Sequence, residues 1–345
     1  MWCQNKLIMT IVARVRAFPP PFAGLNTAGT KLPVTTADLA RAAVTVGGPV
    51  RGTAWRRTQR RVAIIATVHA ALAEKRGTHP VRTSTLYQQL ETTEKSGVSF
   101  RLGMAFAAVV AERVLEIAML EHLNHTNSLL FPSGGKRRAD LFGLDAAGGC
   151  HVIEAKSRTH GHDRALVRYA KAQAANIAVV DVKSGRYSPQ TRSAAVADLS
   201  RSPVQVLLED PPEEAPREKP YQIDTDQVIA YHYSAVPDLV ELRGDPQDPP
   251  TRIDADVIGA YLPGTDVWLG VKRSLYGESN TPWRERIKDD AAAAEPIAAD
   301  SDTVSIGRDG HVLQMGPEFS QLYEAWRSRE DEGTRAEGQE ARGES

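Results

Sequence analysis

Asp140 is followed, after thirteen intervening residues, by Glu154-Ala155-Lys156. Two carboxylates and one ammonium at that spacing suit one kind of chemistry. Paired carboxylates offer the hard oxygen donors that Mg²⁺ or Mn²⁺ takes, and such an ion keeps waters and bridges to phosphate. It can activate a water and neutralise phosphate charge. An adjacent Lys156 can position that water and stabilise developing negative charge. The pattern points to metal-assisted phosphodiester cleavage, provided that the fold brings the three groups to one face.

The stretch from Arg138 to Lys156 reads as a β-hairpin with arms Arg138–Leu144 and Cys150–Arg158. Glu154 and Lys156 are two apart on a strand and share a face. Directly opposed residues of an antiparallel pair also share a face, so Asp140 joins them by opposing either one. Opposing Glu154 requires the three-residue loop Ala146-Ala147-Gly148, and that loop class wants glycine in the left-handed region at its third place. The register that the chemistry needs is the one that the turn residues favour.

Asp140 and Glu154-Ala155-Lys156, on a hairpin after a long helix in αβββαβ order, resemble the PD-(D/E)XK nuclease superfamily, the restriction-endonuclease-like fold. The resemblance covers about residues 97–210. It implies Asp140, Glu154 and the Ala155 backbone carbonyl as ligands of Mg²⁺ or Mn²⁺, and Lys156 as the catalytic lysine. It also implies an extra acid from the preceding helix, Glu112 or alternatively Glu116, and a functional glutamine, Gln173, in the following helix. Ala139 stands where the family motif carries proline. The implied activity is DNA hydrolysis, with restriction, repair and phage defence all open. Lys136, Arg137, Arg138 and Arg158, with Arg164 and Arg168, would then line a polyanion track. The alternative is a non-catalytic nucleic-acid- or protein-binding module that keeps the fold.

Rival constellations are weaker. Asp163 with Asp181-Val182-Lys183 repeats the pattern at a longer spacing, but Asp163 stands at a helix start. His122 and His125 are placed at a helix end and Cys150-His151 on a strand, without the paired cysteines of a structural zinc site. His160-Gly161-His162-Asp163 reads as a polar loop. No nucleophile elbow or phosphate-cradling Gly-rich loop is present.

The net charge of −1 conceals an asymmetry: residues 1–100 hold 14 Lys/Arg against 4 Asp/Glu, and residues 211–345 hold 14 against 28. The basic end suits a polyanionic partner, and the acidic end does not. Two cysteines make no disulfide framework, so a cytoplasmic setting is expected. The absence of an apolar run of ~18 residues argues against a membrane span. Residues 1–35 read as loose and 36–96 as a basic helical region, with Arg56, Arg57, Arg60 and Arg61 clustered on one helix. Apolar residues at helical spacing predict a helix over 97–124, and short candidate strands follow at 128–131, 177–182 and 204–208. The Glu- and Pro-rich 211–220 reads as a linker, 221–326 as an acidic α/β extension whose partner is left open, and 327–345 as a disordered tail.

Overall fold

Alternation builds the first strand. Met9, Ile11, Ala13 and Val15 are buried while Thr10, Val12 and Arg14 are half-exposed, so β1 (Met9–Arg16) lays one side on the core. Each large apolar side chain buried this way contributes about 1.5–3 kcal/mol. The computed structural model describes residues 9–46, 52–74, 80–123, 129–130, 139–161, 163–177, 180–182, 185–210, 222–223, 225–250, 253, 256–277, 281, 285–287, 289–290 and 303–319. The chain is an α/β protein built on a seven-stranded mixed sheet.

The other strands of that sheet are β2 (Thr27–Val34), β3 (Ile117–His122), β4 (Leu141–Asp145), β5 (Cys150–Arg158), β6 (Thr191–Asp198) and β7 (Gln205–Glu209). Their order is β2-β1-β7-β6-β5-β4-β3. β1 runs parallel to β7 and β5 parallel to β6; the remaining neighbours are antiparallel. Among the described residues the helices of eight residues or more are α1 (Thr36–Val46), α2 (Ala54–Ala71), α3 (Thr92–Val114), α4 (Arg164–Ala174), α5 (Thr225–His232) and α6 (Ala235–Arg243). α4 makes the crossover from β5 to β6, capped by Asp163, whose carboxylate accepts the Leu166 N–H at 2.6 Å. Its Leu166 and Val167 pack on Val196 and Leu207. Against the other face, α3 passes so close that a side chain at Gly103 would meet Ser157 at 3.0 Å.

Several expectations give way here. Residues 9–34 are not loose, since β1 is an interior strand and β2 covers its edge. The helix expected to reach 124 ends at Val114; Glu116 takes a positive φ of 53° and the chain continues as β3. Apolar spacing alone could not separate the two, because Ile117, Met119 and Leu120 serve either period. Leu129–Leu130 pairs with Gln222–Ile223 outside the main sheet. Val180–Val182 forms only a ribbon with Gly185–Tyr187, and the place beside β5 goes to Thr191–Asp198. That segment is alanine-rich and lacks the β-branched bulk that marks a strand.

The basic helical region is not a free arm. α1 is buried along its length, capped by Thr35, whose hydroxyl accepts the Asp38 N–H at 3.0 Å. On α2, Arg57 and Arg61 both clasp Asp238 of α6, Arg61 at 3.1 Å. This pairing, not phosphate, accounts for two of the four clustered arginines. A ribbon of Leu72–Glu74 with Val81–Thr83 intervenes between α2 and the short helix Thr85–Gln89.

The C-terminal extension adds a second antiparallel sheet of β8 (Val257–Tyr261), β9 (Val267–Lys272), β10 (Val304–Ile306) and β11 (His311–Met315), ordered β8-β9-β11-β10. It is fixed to α1 by polar bonds: Ser305 Oγ donates to Asp38 at 2.6 Å and accepts from Arg41 Nε at 2.8 Å. The expected linker 211–220 and tail 327–345 lie outside the described residues. No described helix is long and apolar enough to cross a membrane.

Candidate active site

The β4–β5 turn sets the site. The Asp145 N–H donates to the Gly149 carbonyl at 3.0 Å and the Gly148 N–H to the Asp145 carbonyl at 2.9 Å. Gly148 has φ 79°, the left-handed conformation that glycine adopts without steric cost. The loop is therefore Ala146-Ala147-Gly148. Buried His151 braces it, with Nε2 3.2 Å from Asp145 Oδ2 and Nδ1 2.9 Å from Thr191 Oγ1. Strand pairing runs Leu144 to Cys150 and Leu141 to Ile153, which stands Asp140 opposite Glu154 as the turn residues required.

The three groups converge. Lys156 Nζ contacts Glu154 Oε1 and lies 3.8 Å from Asp140 Oδ2. Asp140 Oδ2 also accepts the Ala155 N–H at 3.2 Å. A strand residue sends its N–H and C=O to the same neighbour, so the Ala155 carbonyl points toward Asp140 as well. Glu154 is sealed at 0% exposure, while the Asp140 and Lys156 side chains retain 13% and 26%. Burial and the nearby Asp140 carboxylate push Glu154 up to about 8, against the opposing pull of Lys156.

Two observations make the donor set fit a hard divalent ion. Glu154 Oε2 is buried with no hydrogen-bond partner, which is costly unless something else meets it. The two carboxylates also raise each other's energy when both are ionised, and a cation between them removes that penalty. Asp140, Glu154 and the Ala155 carbonyl could hold such an ion, where the Asp140 and Lys156 side chains keep partial exposure.

Other expected residues are not brought to this point. Glu112 accepts from Arg41 Nη2 at 2.6 Å and from the Arg308 N–H at 3.0 Å, fastening the C-terminal sheet. It lies about two and a half turns along α3 from Gly103, the residue against Ser157. Glu116 is exposed and pairs with Arg308 at 3.3 Å. Gln173 is half-buried in the last turn of α4, at the flank of the stripe facing the sheet, and its role rests on the resemblance. Arg158, Arg164 and Arg168 are exposed beyond the site end of β5 and along α4. Lys136, Arg137 and Arg138 lie outside the described residues, as do His125, His162 and the side chains of Asp181-Val182-Lys183.

His122, expected at a helix end, lies on a strand. It ends β3, and its Nε2 lies 4.0 Å from Asp140 Oδ1. Phe100 of α3, half exposed, packs edge-on against it at 6.1 Å. The imidazole therefore stands beside one carboxylate of the hairpin, and His122, Asp140 and Glu154 do not all come within ligating range of one another. The available signal was a polar Glu121-His122 pair closing an apolar run.

No family model matches the chain, and no match to it was found among curated proteins or among solved structures.

Proposed function

We propose that the chain is a metal-dependent nuclease with a PD-(D/E)XK-like, restriction-endonuclease-like core, hydrolysing DNA phosphodiester bonds. The observation that carries the reading is the convergence of Asp140, Glu154 and Lys156 across a three-residue hairpin, with Lys156 Nζ 3.8 Å from Asp140 and in contact with Glu154. The run α3-β3-β4-β5-α4-β6, with β5 and β6 parallel, supports it by presenting the hairpin in the order that the resemblance requires. In this reading Asp140, Glu154 and the Ala155 carbonyl hold Mg²⁺ or Mn²⁺, which supplies Lewis-acid activation of water and charge neutralisation at phosphate. Lys156 orients the nucleophilic water and donates to the phosphate oxygens. The exposed Arg158, Arg164 and Arg168 receive the flanking backbone.

Supercoiled plasmid DNA incubated with Mg²⁺ or Mn²⁺ should be nicked or linearised by the wild type. Asp140→Ala, Glu154→Ala and Lys156→Ala should each abolish the cleavage. Cleavage that survives all three substitutions contradicts the site. Salt-sensitive DNA binding without cleavage under any divalent ion would point instead to a binding module.

A further inference from the structure

Away from the hairpin, three ligand-type side chains meet where the C-terminal sheet closes on α5. His232 ends α5, Asp309 sits in the β10–β11 turn, and His311 opens β11. One donor atom of each lies within 4.8 Å of the others. Their exposures are 3%, 4% and 0%. His232 Nε2 at 2.9 Å and His311 Nδ1 at 3.0 Å both address Asp309 Oδ2.

The surroundings hold these groups in place. Glu121 Oε2 lies 3.2 Å from His232 Nδ1, the nitrogen on the far side of that ring. A carboxylate in that position fixes the tautomer and orientation of a metal-ligating imidazole. Tyr233 stacks on the His311 ring, 5.2 Å between centroids and 8° from parallel. The His311 N–H donates to Asp309 Oδ1 at 3.0 Å, fixing the carboxylate.

We propose that His232, Asp309 and His311 bind a divalent transition-metal ion of the zinc class that ties the C-terminal sheet to α5. Two imidazoles and one carboxylate are borderline donors that suit Zn²⁺ and not the all-oxygen Mg²⁺ class, and they leave one tetrahedral position to a water. Charge favours a dication. Buried Asp38, Glu121 and Asp309, with half-buried Glu112, form an acidic seam. Arg41 meets it at 2.6 Å from Glu112 and 3.6 Å from Asp309, and Arg113 at 3.4 Å from Asp38. These two arginines offset two of the four carboxylates. An imidazolium on His232 would supply one further charge, and a divalent ion supplies two. The neighbouring Arg61 is paired with Asp238. Because the site is closed to solvent, the ion acts on folding, not on substrate. This proposal does not rest on the hydrolytic reading of the hairpin.

The test is metal content by mass spectrometry after loading with zinc chloride and desalting. The wild type and an Asp140→Asn/Glu154→Gln variant should each retain about one zinc per chain, and His311→Ala should lose it. Cobalt(II) in the wild-type site should give visible ligand-field bands. Zinc below about a tenth of an equivalent in the wild type overturns the proposal and leaves a His232 imidazolium as the counter-charge. Full zinc retention by folded His311→Ala overturns it equally. Should that variant not fold, the wild type decides: chelation must lower Tm and zinc must restore it, and an unchanged Tm overturns the proposal.

Discussion

Lys156 Nζ stands 3.8 Å from Asp140 Oδ2 while touching Glu154 Oε1, so one ammonium bridges two carboxylates that would otherwise repel. It does part of what a dication bound there would do. Lys156→Ala should therefore destabilise the chelator-treated protein by about 1–3 kcal/mol, since a sealed Glu154 loses its partner. Divalent ions should stabilise the variant more than the wild type, while cleavage falls at least ~100-fold. Thermal unfolding with and without chelator, beside a nicking assay, checks both. Equal stability and equal activity would contradict the bridge.

Glu154 carries a pH dependence of opposite sign for stability and for ion binding. Its folded-state value is raised to about 8, from an ordinary 4.5. Between those values the folded chain binds more protons than the unfolded one, so stability without metal should fall as pH rises through that window. An ion needs the ionised carboxylate, so Mn²⁺ affinity should rise up to ~10-fold per pH unit below 8 and level off above it. Calorimetric titration at pH 6, 7, 8 and 9 reads this directly. A flat profile below pH 8 counts against it.

Gly148 tests the turn. With φ 79° it sits where a β-branched side chain is strained, and Gly148→Val should cost about 1–2 kcal/mol by chemical denaturation. Gly148→Asn should cost less, because asparagine tolerates that region. If the valine variant also loses cleavage beyond its loss of folded protein, the turn is setting the register of Asp140 against Glu154.

Asp238 receives both Arg57 and Arg61, and the Arg61 side chain is only 3% exposed. Asp238→Ala strands a buried guanidinium and should cost about 3 kcal/mol. Arg57→Ala, removing a partner that is 24% exposed, should cost less than about 1 kcal/mol. A double-mutant cycle on urea unfolding separates the terms, and equal costs would refute the asymmetry.

Glu112→Gln separates structure from chemistry. The residue binds Arg41 and the Arg308 N–H, so the substitution should lower stability and leave metal-dependent cleavage per folded molecule within about 2-fold. A loss of ~100-fold would return Glu112 to the reacting centre.

The hairpin was legible because its information is local: the Gly148 turn, a two-residue strand period and the acid spacing all lie within twenty residues. A local signal of the same kind, Arg308-Asp309-Gly310, marks the turn between β10 and β11 in the second sheet. What sequence patterning missed depends on distant partners. The alternation of Met9, Ile11, Ala13 and Val15 is a local strand signal, but β1 becomes an interior strand only because β7 and β2 flank it. The arginines of α2 look like a phosphate-binding face until Asp238 of α6 is placed beside them. Glu112 carries the right chemistry on the right helix, and its distance along α3 from Gly103 could be read only once Gly103 was seen against Ser157. His122 changed element altogether when the positive φ at Glu116 ended α3.

The pairing of Val12 with Gln205 has a consequence for how the chain is made. During synthesis the first strand emerges with its apolar face formed and must wait for β7, the last strand of the sheet to be translated. Until then β1 lacks its β7 partner, and a hairpin of β1 and β2 alone is marginal in water. Parallel pairing between such distant segments is slow to form and exposes unpaired edges meanwhile. Removing residues 1–34 would turn β7 into a bare edge beside β6, so the truncated chain should aggregate through the very strand that completes the native sheet.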